Sequence, residues 1–583
     1  MALLVALLGS MAGATPRMRI FTEADEVSEG IVVAVNEDFG SLDIMAQAEH
    51  GNSSDWIYRM IYDRLLEFDE NGNLMYSLAT SITFSYHTES SEPVDLVGAG
   101  YIGDYNPTSS TTGDWPDGWT SATNDIDWAL ENAVYFGDEG NGIILNIKLR
   151  ENVFFSNGEL FDINVFEDMI NSVKAQTLED SLMRRQWSPL SEIEGEGYVR
   201  YINEYEGEIR LCFTDDTPFG FIDFIYSLAT PMASIVHINE ENLEIGGVRV
   251  GSGAYQVNNL VTSDSVTLTP NLNWYGEELL WSENLDEVHQ QSMEDITFIY
   301  CQEEDASVNM FVSELADIMM ISTNMHSENN YLQSMTEEEY QVQFLAGNPV
   351  MLTFNVSNPF INESYEGETQ TLVDVSDVRT CILQILAQLD EEDVSLYAKW
   401  LTNKANGLWS YNLQKWSEEN NTIEIGFSNY PFILWSPNEK YHEIAYQIEW
   451  RLEQYGMQVV VEEGANITEY DMKIDSVDVT DLNTIYNTLF GKVNANIDNW
   501  LSYSLRAANG QTYISLHANI QEEFKTSCTT RMNLGWENYV FLSRANIQGF
   551  EIPQYEEDVI YEDFTPTGNM SRVDFRWIYR AVA

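Results

Sequence analysis

Few stretches of this 583-residue chain place reactive side chains at the spacing that catalysis or metal binding needs. The sequence has no G-x-S-x-G nucleophile elbow, no phosphate loop of the G-x-x-x-x-G-K type and no H-E-x-x-H zinc helix. His442 and Glu443 begin such a helix in HEIAY, but the second histidine is missing. The 7 histidines are dispersed along the chain, which indicates structural or exposed positions rather than a catalytic cluster.

Oxygen-donor side chains are concentrated in one short segment, FDENGN at residues 68–73. Its spacing falls short of a calcium loop and is typical of a turn between two elements. Carboxylates are so plentiful, with 94 Asp and Glu, that composition leaves a glycosidase pair open without singling one out. The cysteines have no zinc spacing, so buried thiols and disulfides both remain open: Cys212, Cys301, Cys381 and Cys528. We predict no metal site and no cofactor.

The C-terminal half of the chain alternates strand and helix patterns. TIEIGFS at 422–428 alternates apolar and polar side chains as a strand does. YHEIAYQIEWRLEQYG at 441–456 has apolar residues at helical spacing and stops at Gly456, which adopts left-handed backbone without a Cβ penalty. MQVVVEE at 457–463 follows as a second strand, so this region predicts a right-handed strand–helix–strand crossover in a parallel sheet.

Two further segments differ clearly in pattern. SDVRTCILQILAQLD at 376–390 predicts an amphipathic helix with Ser376 or Asp377 as its N-cap. Residues 86–135 are rich in Gly, Ser, Thr, Asp and Trp, and so many turn formers predict a long surface insertion.

The stretch GSGAYQVNNLVTSDSVTLTPNLNWYG at 251–276 predicts a tight turn followed by a hairpin. Gly251 and Gly253 let the backbone turn sharply and lie close to another chain segment. The hairpin closes near Asp264 and its ladder ends at Pro270. The hairpin takes its apolar side chains from Tyr255, Val257, Val266 and Leu268. Trp274 and Tyr275 are expected to pack between elements as core, with direct ligand contact as the alternative.

The charge balance excludes several classes of partner. The chain has 94 acidic and 27 basic residues, a formal net charge of -67. Nucleic acid and anionic membrane surfaces would be repelled rather than attracted. Because the acidic residues are scattered and form no tail, we expect a solvated acidic surface, which suits either high external salt or an acid-tolerant habitat. The length predicts two or three domains.

Residues 1–16, MALLVALLGSMAGATP, form an apolar run too short to span a bilayer, and Ala12 and Ala14 give a small-x-small cleavage pattern. We interpret them as a secretory signal peptide; a buried or frayed terminus is the alternative. No basic residue precedes Arg17, which a misassigned start codon would explain. Ser10 stands where a lipoprotein signal needs cysteine, so no lipid anchor is predicted. We expect an extracytoplasmic protein, at the cell surface or in the periplasm.

Eight segments follow one another in an order that carries more weight than any single motif. They are SLDIMAQ (41–47), IYDRLLEFDENGNLMYSLATS (61–81), LNIKLRENVFFSNGELFDINVFEDMINSVK (145–174), the GSGAY turn, the N-x-x-W-Y-G corner, EEDASVNMFVSELADIMMI (303–321), LTFNVSNPF (352–360) and the 376–390 helix. Together they resemble the extracellular solute-binding proteins of peptide-type ABC transporters, the dipeptide- and oligopeptide-binding family known as solute-binding family 5.

The resemblance implies an α/β protein with a two-lobed, type II periplasmic-binding-protein-like fold. An extra third region and a hinged cleft that closes on its ligand belong to that fold. The implied divisions are a signal peptide and linker at 1–29, lobe I at 30–57, 212–299 and 541–583, an extra domain at 58–211 with the insertion near 86–135, and lobe II at 300–540.

The resemblance also implies a function and a site. It implies a monomeric receptor without enzymatic activity that captures peptides and delivers them to the permease subunits of an ABC importer. Family members hold the peptide α-ammonium group with an Asp, and DVTDLNTIYNTLF at 478–490 matches the segment that this Asp begins. The implied ligand-binding residues are Asp478, with Asp481 nearby, and the strand partners Gln47, Ala48, Glu49 and His50 in lobe I and Asp475, Ser476 and Val477 in lobe II.

One departure from the family leaves alternatives open. The family's Gly-Trp just before the Asp is absent, and Ser476 and Val477 stand there instead. The same fold with an oligosaccharide or a metal chelate as ligand is therefore an alternative, and a secreted hydrolase is a third. For Asp478 itself, a helix-capping or solvated role is the alternative.

Overall fold

The structure, a computed structural model, describes residues 30–46, 52–68, 74–86, 94–95, 143–176, 181–193, 195–213, 220–238, 247–276, 294–322, 332, 340–355, 375–387, 401–402, 431–464, 467–477, 489–490, 493–504, 516–517, 519–520, 523–524, 528, 530–549, 575–576 and 578–580. The helices in these stretches are α1 Asn52–Ile61, α2 Ile163–Ala175, α3 Leu182–Gln186, α4 Phe221–Ser227, α5 Glu304–Val312, α6 Val375–Leu386, α7 His442–Glu453 and α8 Ala495–Ser504, with 3-10 turns at Pro231–Ala233 and Glu439–Tyr441.

The strands are β1 Ile31–Val35, β2 Leu66–Phe68, β3 Leu74–Tyr76, β4 Ala79–Tyr86, β5 Val94–Asp95, β6 Ile143–Leu149, β7 Leu190–Ser191, β8 Val199–Asn203, β9 Glu206–Leu211, β10 Tyr255–Val261, β11 Ser265–Pro270, β12 Ile296–Tyr300, β13 Ile318–Ser322, β14 Tyr340–Phe354, β15 Leu401–Thr402, β16 Pro431–Ser436, β17 Gln458–Glu463, β18 Met472–Ser476, β19 Arg531–Arg544, β20 Ile547–Gln548 and β21 Tyr579–Arg580. No helix in the described residues is both long and apolar enough to cross a membrane.

One long sheet organises the described residues. Its strand order is β10-β11-β12-β1-β13-β19-β14-β18-β16-β17, with β15 on β19. Strands β10 to β13 with β1 form a first half-sheet, in which β1 is parallel to β12 and β13. Strands β16, β17 and β18 form a second half-sheet, also parallel. The long antiparallel pair β14 and β19, here called the crossing strands, joins the two halves.

The central strand of the first half-sheet shows why a parallel sheet forms here. All of β1, with the sequence IVVAV, is buried, as expected for a strand covered on both faces. On one face, Trp56 of α1 packs against Phe541 and Phe575, with ring centroids 5.6 Å apart in each pair. On the other face, α5 places Phe311 in an apolar cluster with alternate residues of β1, β13 and β19. The second half-sheet has its own cluster under α6 and α7.

A separate sheet, β5-β4-β6-β9-β7 with β8 on β9, belongs to the region predicted as the extra domain. Alternate residues of β6 are buried, the pattern of a strand with one face on the core. Its core contacts come from α2, whose N-cap Asp162 accepts hydrogen bonds from the backbone of Asn164 and Val165 at 2.9 and 3.0 Å. The chain passes from β6 through a turn at Gly158, which has φ 85°, into α2.

The GSGAY turn lies directly against the end of α1, so the predicted close approach to another chain segment is confirmed. A Cβ on Gly251 would lie 1.8 Å from the carbonyl oxygen of Ile61, and one on Gly253 would lie 2.4 Å from that of Met60. The Gly253 backbone N–H donates to the Ile61 carbonyl at 3.1 Å. The hairpin and the burial of Tyr275 are also confirmed, whereas Trp274 is only partly buried against the core.

The C-terminal predictions have a mixed outcome. The helix ending before Gly456 and the strand that follows it, which is parallel to a strand before the helix, are confirmed, and Gly456 has φ 82°. The first of these strands is β16 at 431–436, however, and the predicted strand at 422–428 lies outside the described residues. The 376–390 helix corresponds to α6, but α6 begins at Val375, so the predicted N-cap residues Ser376 and Asp377 lie inside its first turn. Residues 1–29 and most of 86–135 are outside the described residues. Among described cysteines, Cys212, Cys301 and Cys528 are free thiols.

Candidate ligand-binding site

The parallel strands of the two half-sheets point their carboxyl ends toward each other. In the first half-sheet, β13 ends at Ser322, which pairs with Tyr539 on β19. In the second, β18 ends at Ser476, which pairs with Val350 on β14, and Val350 in turn pairs with Gly535 on β19. The two sets of strand ends are therefore separated by four residues of β19, about 13 Å at the usual rise per residue.

This arrangement defines a candidate cleft. In open α/β sheets, ligands bind outside the carboxyl ends of the parallel strands, where polar loops replace the buried strand interior. Here both half-sheets direct those ends at the same short section of the crossing strands, residues 345–350 and 535–539. These residues form the floor of the cleft.

A buried carboxylate lies at the centre of this floor. Oε1 of Glu537 is 2.8 Å from the Lys440 ammonium and accepts a hydrogen bond from the Tyr441 hydroxyl. Its Oε2 accepts from the Tyr539 hydroxyl at 3.0 Å and from the Asn348 backbone N–H at 3.3 Å. Lys440 also donates to the Tyr539 hydroxyl, with its ammonium 4.5 Å from the centre of that ring. The group is a charge-assisted network rather than an isolated ion pair.

The pKa values at the floor keep this network charged. Burial would raise the pKa of Glu537, but Lys440 and the hydroxyl donors hold it below its usual value. Partial burial would lower the pKa of Lys440, but the carboxylate of Glu537 outweighs it and raises that pKa. Burial and Glu537 together raise the pKa of Tyr539 well above normal, so this hydroxyl stays protonated and donates.

Carboxylates also line the first half-sheet side of the cleft. Glu37, just after β1, accepts a hydrogen bond from the Ser53 backbone N–H of α1 at 3.3 Å. Glu304 of α5 accepts from both the backbone N–H and the hydroxyl of Ser322, at 2.7 and 2.8 Å. Because these side chains already fix strand ends to helices, they stabilise the cleft wall.

The predicted lobe II strand partners lie at the cleft edge of the second half-sheet. Val477 N–H donates to the Pro349 carbonyl at 3.0 Å, and Asn355 N–H donates to the Asp471 carbonyl at 2.9 Å. Because strand residues alternate, Asp475 and Val477 direct their backbone groups toward β14, and Ser476 directs its own away. On that other side β16 pairs with β18 only through Met472 and Lys473. Among the described residues, no strand pairs with this side of β18 at Ser476, opposite to its pairing with β14.

Of these three residues, Ser476 alone presents its backbone to the open side. Val477 is buried at 8% exposure with Leu489, Ile497 and other apolar residues, so its side chain supports the site from behind. Asp475 has a 42% exposed side chain and pairs with Lys473. The other predicted site residues, Asp478, Asp481, Gln47, Ala48, Glu49 and His50, lie outside the described residues.

Sequence reasoning missed Lys440 and Glu537. A signal for each was present: Lys440 is one of only 27 basic residues and directly precedes a helix, and Glu537 interrupts the apolar pattern of RMNLGWENYVFLSR. Their meeting could not be read from the chain because 97 positions separate them. In the part of the chain that the structure describes, no group of His, Cys, Asp and Glu side chains could hold a metal ion.

Comparison with known proteins agrees with this geometry. Residues 138–365 match the family model of bacterial extracellular solute-binding proteins, family 5 middle. This match confirms the predicted resemblance to solute-binding family 5. No curated protein matches the chain significantly.

Solved structures of solute-binding proteins share the fold across nearly the whole chain. MppA, a periplasmic murein tripeptide binding protein, has a TM-score of 0.58 at 13% identity, covering 95% of this chain and 97% of its own. NikZ from Campylobacter jejuni, in complex with Ni(L-His), has a TM-score of 0.56 at 12% identity, and the match covers 90% of this chain and 95% of NikZ. AgaA from A. tumefaciens R10, in complex with agropinic acid, has a TM-score of 0.56 at 12% identity, and the match covers 95% of this chain and 99% of AgaA. The predicted two-lobed type II α/β fold is confirmed.

Proposed function

We propose that this protein is the extracytoplasmic receptor of an ABC importer and that it captures peptides in the cleft between its lobes. The observation that carries the proposal is the convergence of parallel strand ends from both half-sheets on residues 535–539 of β19. A ligand in that space touches both lobes, so its binding favours a closed arrangement. We propose further that the receptor delivers its ligand to permease subunits and acts as a monomer without catalysing a reaction.

An extended peptide suits the open edge of β18. The outward N–H and C=O of Ser476 can form one two-bond backbone pair with a peptide residue, which gives affinity that is independent of side chains. We propose Asp478 as the carboxylate that holds the peptide α-ammonium group, with Asp481 beside it. Gln47, Ala48, Glu49 and His50 are the proposed backbone partners from the opposite lobe.

The lobe divisions predicted from the sequence are part of this proposal, with one refinement. Strand β13 pairs with β1, and Phe311 of α5 packs on the same apolar cluster as Val32. These contacts favour grouping residues 300–322 with lobe I and placing the change of lobe within the crossing strands.

A sugar or chelate ligand is the second candidate, for which an aromatic pair in the second half-sheet is the feature to weigh. Trp435 and Tyr470 lie beside β18 with ring centroids 5.0 Å apart, and aromatic rings are common platforms for sugars. The ammonium of Lys473 is 4.8 Å from the Trp435 ring centre, however, so that ring already has a cationic partner. We therefore rank peptides first.

A thermal-shift screen tests the receptor class. A ligand that binds only the folded protein at a hundredfold excess over its Kd adds about 2.7 kcal/mol of stability. Di- to pentapeptides, malto-oligosaccharides and nickel–histidine are the probes. We expect a strong shift with at least one peptide and no product by mass spectrometry. Conversion of the bound compound would overturn the receptor proposal, and a shift with sugar or nickel–histidine alone would overturn the peptide assignment.

An Asp478→Asn variant then separates peptide from neutral ligand. Removing one charge of a desolvated pair costs about 2 to 5 kcal/mol, so peptide affinity should fall about thirtyfold or more. N-terminal acetylation of the peptide should weaken wild-type binding similarly and add little in the variant. Asp168→Asn, the same change at an exposed position of α2, is the control and should leave affinity unchanged. Affinity that stays within about twofold in Asp478→Asn would show that this residue is a capping or surface residue.

A further inference from the structure

The Glu537 carboxylate has every acceptor position filled at the point where the two half-sheets meet. A carboxylate offers about four lone-pair sites, and Glu537 uses them for Lys440, Tyr441, Tyr539 and the backbone of Asn348. The side chain of Glu537 is 6% exposed, so water does not substitute readily for a lost donor.

The donors come from both sides of the crossing. Tyr539 belongs to the section of β19 that pairs with Ser322 of the first half-sheet. Lys440 and Tyr441 belong to the 3-10 turn that follows β16 of the second half-sheet. Asn348 lies between them on β14. One carboxylate thus connects the two half-sheets through side chains as well as through the strands themselves.

The crossing strands are irregular at this same place. Their register shifts between Ala346 and Pro349, which leaves Gly347 and Asn348 out of the regular ladder. A Cβ on Gly347 would lie 2.6 Å from Tyr539 Cε2 and 2.9 Å from Glu537 Oε2, so the bulge packs directly on the network. Pro349 has no N–H to donate. The pair has a second register shift between Val350 and Met351, so the regular ladder is interrupted twice in this section and fewer ladder hydrogen bonds oppose bending here than in an unbroken stretch.

We propose that the network of Lys440, Tyr441, Tyr539 and Glu537 is a latch that holds the two lobes in the arrangement seen here and must break when the hinge bends. Rotation at the bulge carries the Lys440 turn away from Tyr539, and Glu537 cannot follow both. The buried carboxylate then loses donors that hold its charge, which opposes the motion. The latch sets the equilibrium between lobe arrangements before any ligand arrives.

The test uses the ligand-free, full-length protein and a Lys440→Gln variant. The Lys440 side chain is 42% exposed, so its replacement leaves no large cavity. We expect amide hydrogen exchange in 345–350 and 535–540 to accelerate about tenfold or more, because losing a charge-assisted contact shifts local opening by that order. Exchange in β6, in the other sheet, should not change. Small-angle scattering should show a different radius of gyration in the variant.

A matched control separates a latch from general stabilisation. Arg200→Gln breaks the Arg200–Glu208 pair, 2.6 Å long, in the sheet away from the crossing strands, and should leave their exchange unchanged. Tyr441→Phe should accelerate the same segments as Lys440→Gln. The proposal would be overturned if amide exchange and scattering of Lys440→Gln were identical to those of wild type. It would also be overturned if exchange in β6 accelerated as much as exchange in the crossing strands, because that result reports global destabilisation. Because no ligand is present, the outcome is independent of the proposed peptide function.

Discussion

Asp63 is a carboxylate in the protein interior, with 2% of its surface exposed. Burial and the neighbouring Glu67 raise its pKa to about 7, although Arg576, Arg64 and the Ser252 hydroxyl oppose the shift. The folded protein therefore keeps a proton on Asp63 at pH values where the unfolded chain has lost it. Between about pH 4 and about pH 7 the folded state binds more protons than the unfolded state, so the contribution of Asp63 to the free energy of unfolding falls as the pH rises. Above about pH 7 this contribution no longer changes.

An Asp63→Asn variant should remove this pH dependence. One pKa unit corresponds to about 1.4 kcal/mol. From pH 4 to pH 8 the free energy of unfolding of the variant should therefore rise by about 2 to 4 kcal/mol relative to that of wild type. The free energy of unfolding, from urea titrations of both proteins at several pH values, measures the gain. A difference between the two proteins that is the same at pH 4 and pH 8 would contradict a raised pKa for Asp63.

At the scale of elements, the contact between the GSGAY turn and the end of α1 depends on the absence of a side chain. Gly251→Ala would place its Cβ 1.8 Å from the Ile61 carbonyl oxygen and 2.6 Å from Tyr62 Cδ1, so the turn or the helix end must move. We expect a loss of about 2 to 4 kcal/mol in the free energy of unfolding. Chemical denaturation measures this loss.

Gly158→Ala is the control for the Gly251 substitution. Gly158 has φ +85°, and no atom lies within 4 Å of the position that a Cβ would take, so alanine there costs only backbone strain, about 1 kcal/mol. An equal loss in both variants would mean that the close approach to α1 contributes nothing beyond glycine's conformational freedom.

At the scale of the whole molecule, the formal net charge of -67 destabilises the folded state by self-repulsion. Salt shortens the Debye length from about 10 Å at 0.1 M to about 3 Å at 1 M, which screens this repulsion. We therefore expect the Tm to rise between about 0.1 M and about 1 M sodium chloride, measured by calorimetry. Sucrose at equal osmolality is the control, since it does not screen charge. A Tm that falls with added chloride would show that salt weakens attractive ion pairs more than it relieves repulsion.

The sequence by itself determined the local elements whose signals lie within a few residues. The hairpin at 255–270, the helix ending before Gly456 and the close approach of Gly251 were all predictable, because periodicity, turn chemistry and the missing Cβ act locally. The order of the motifs also predicted the fold family. The strand at 422–428 stays untested because it lies outside the described residues, and β16 is the strand that pairs with β17.

Only the tertiary structure decided which strand ends face each other and which charges meet. The convergence at residues 535–539 follows from pairings between β13, β14, β18 and β19, and no local pattern encodes the register of such distant segments. In the same way, Lys440 and Glu537 looked like two more solvated charges in a highly charged chain. Folding brings the lysine turn onto a bulge in the crossing strands, where burial makes a glutamate depend on the donors around it.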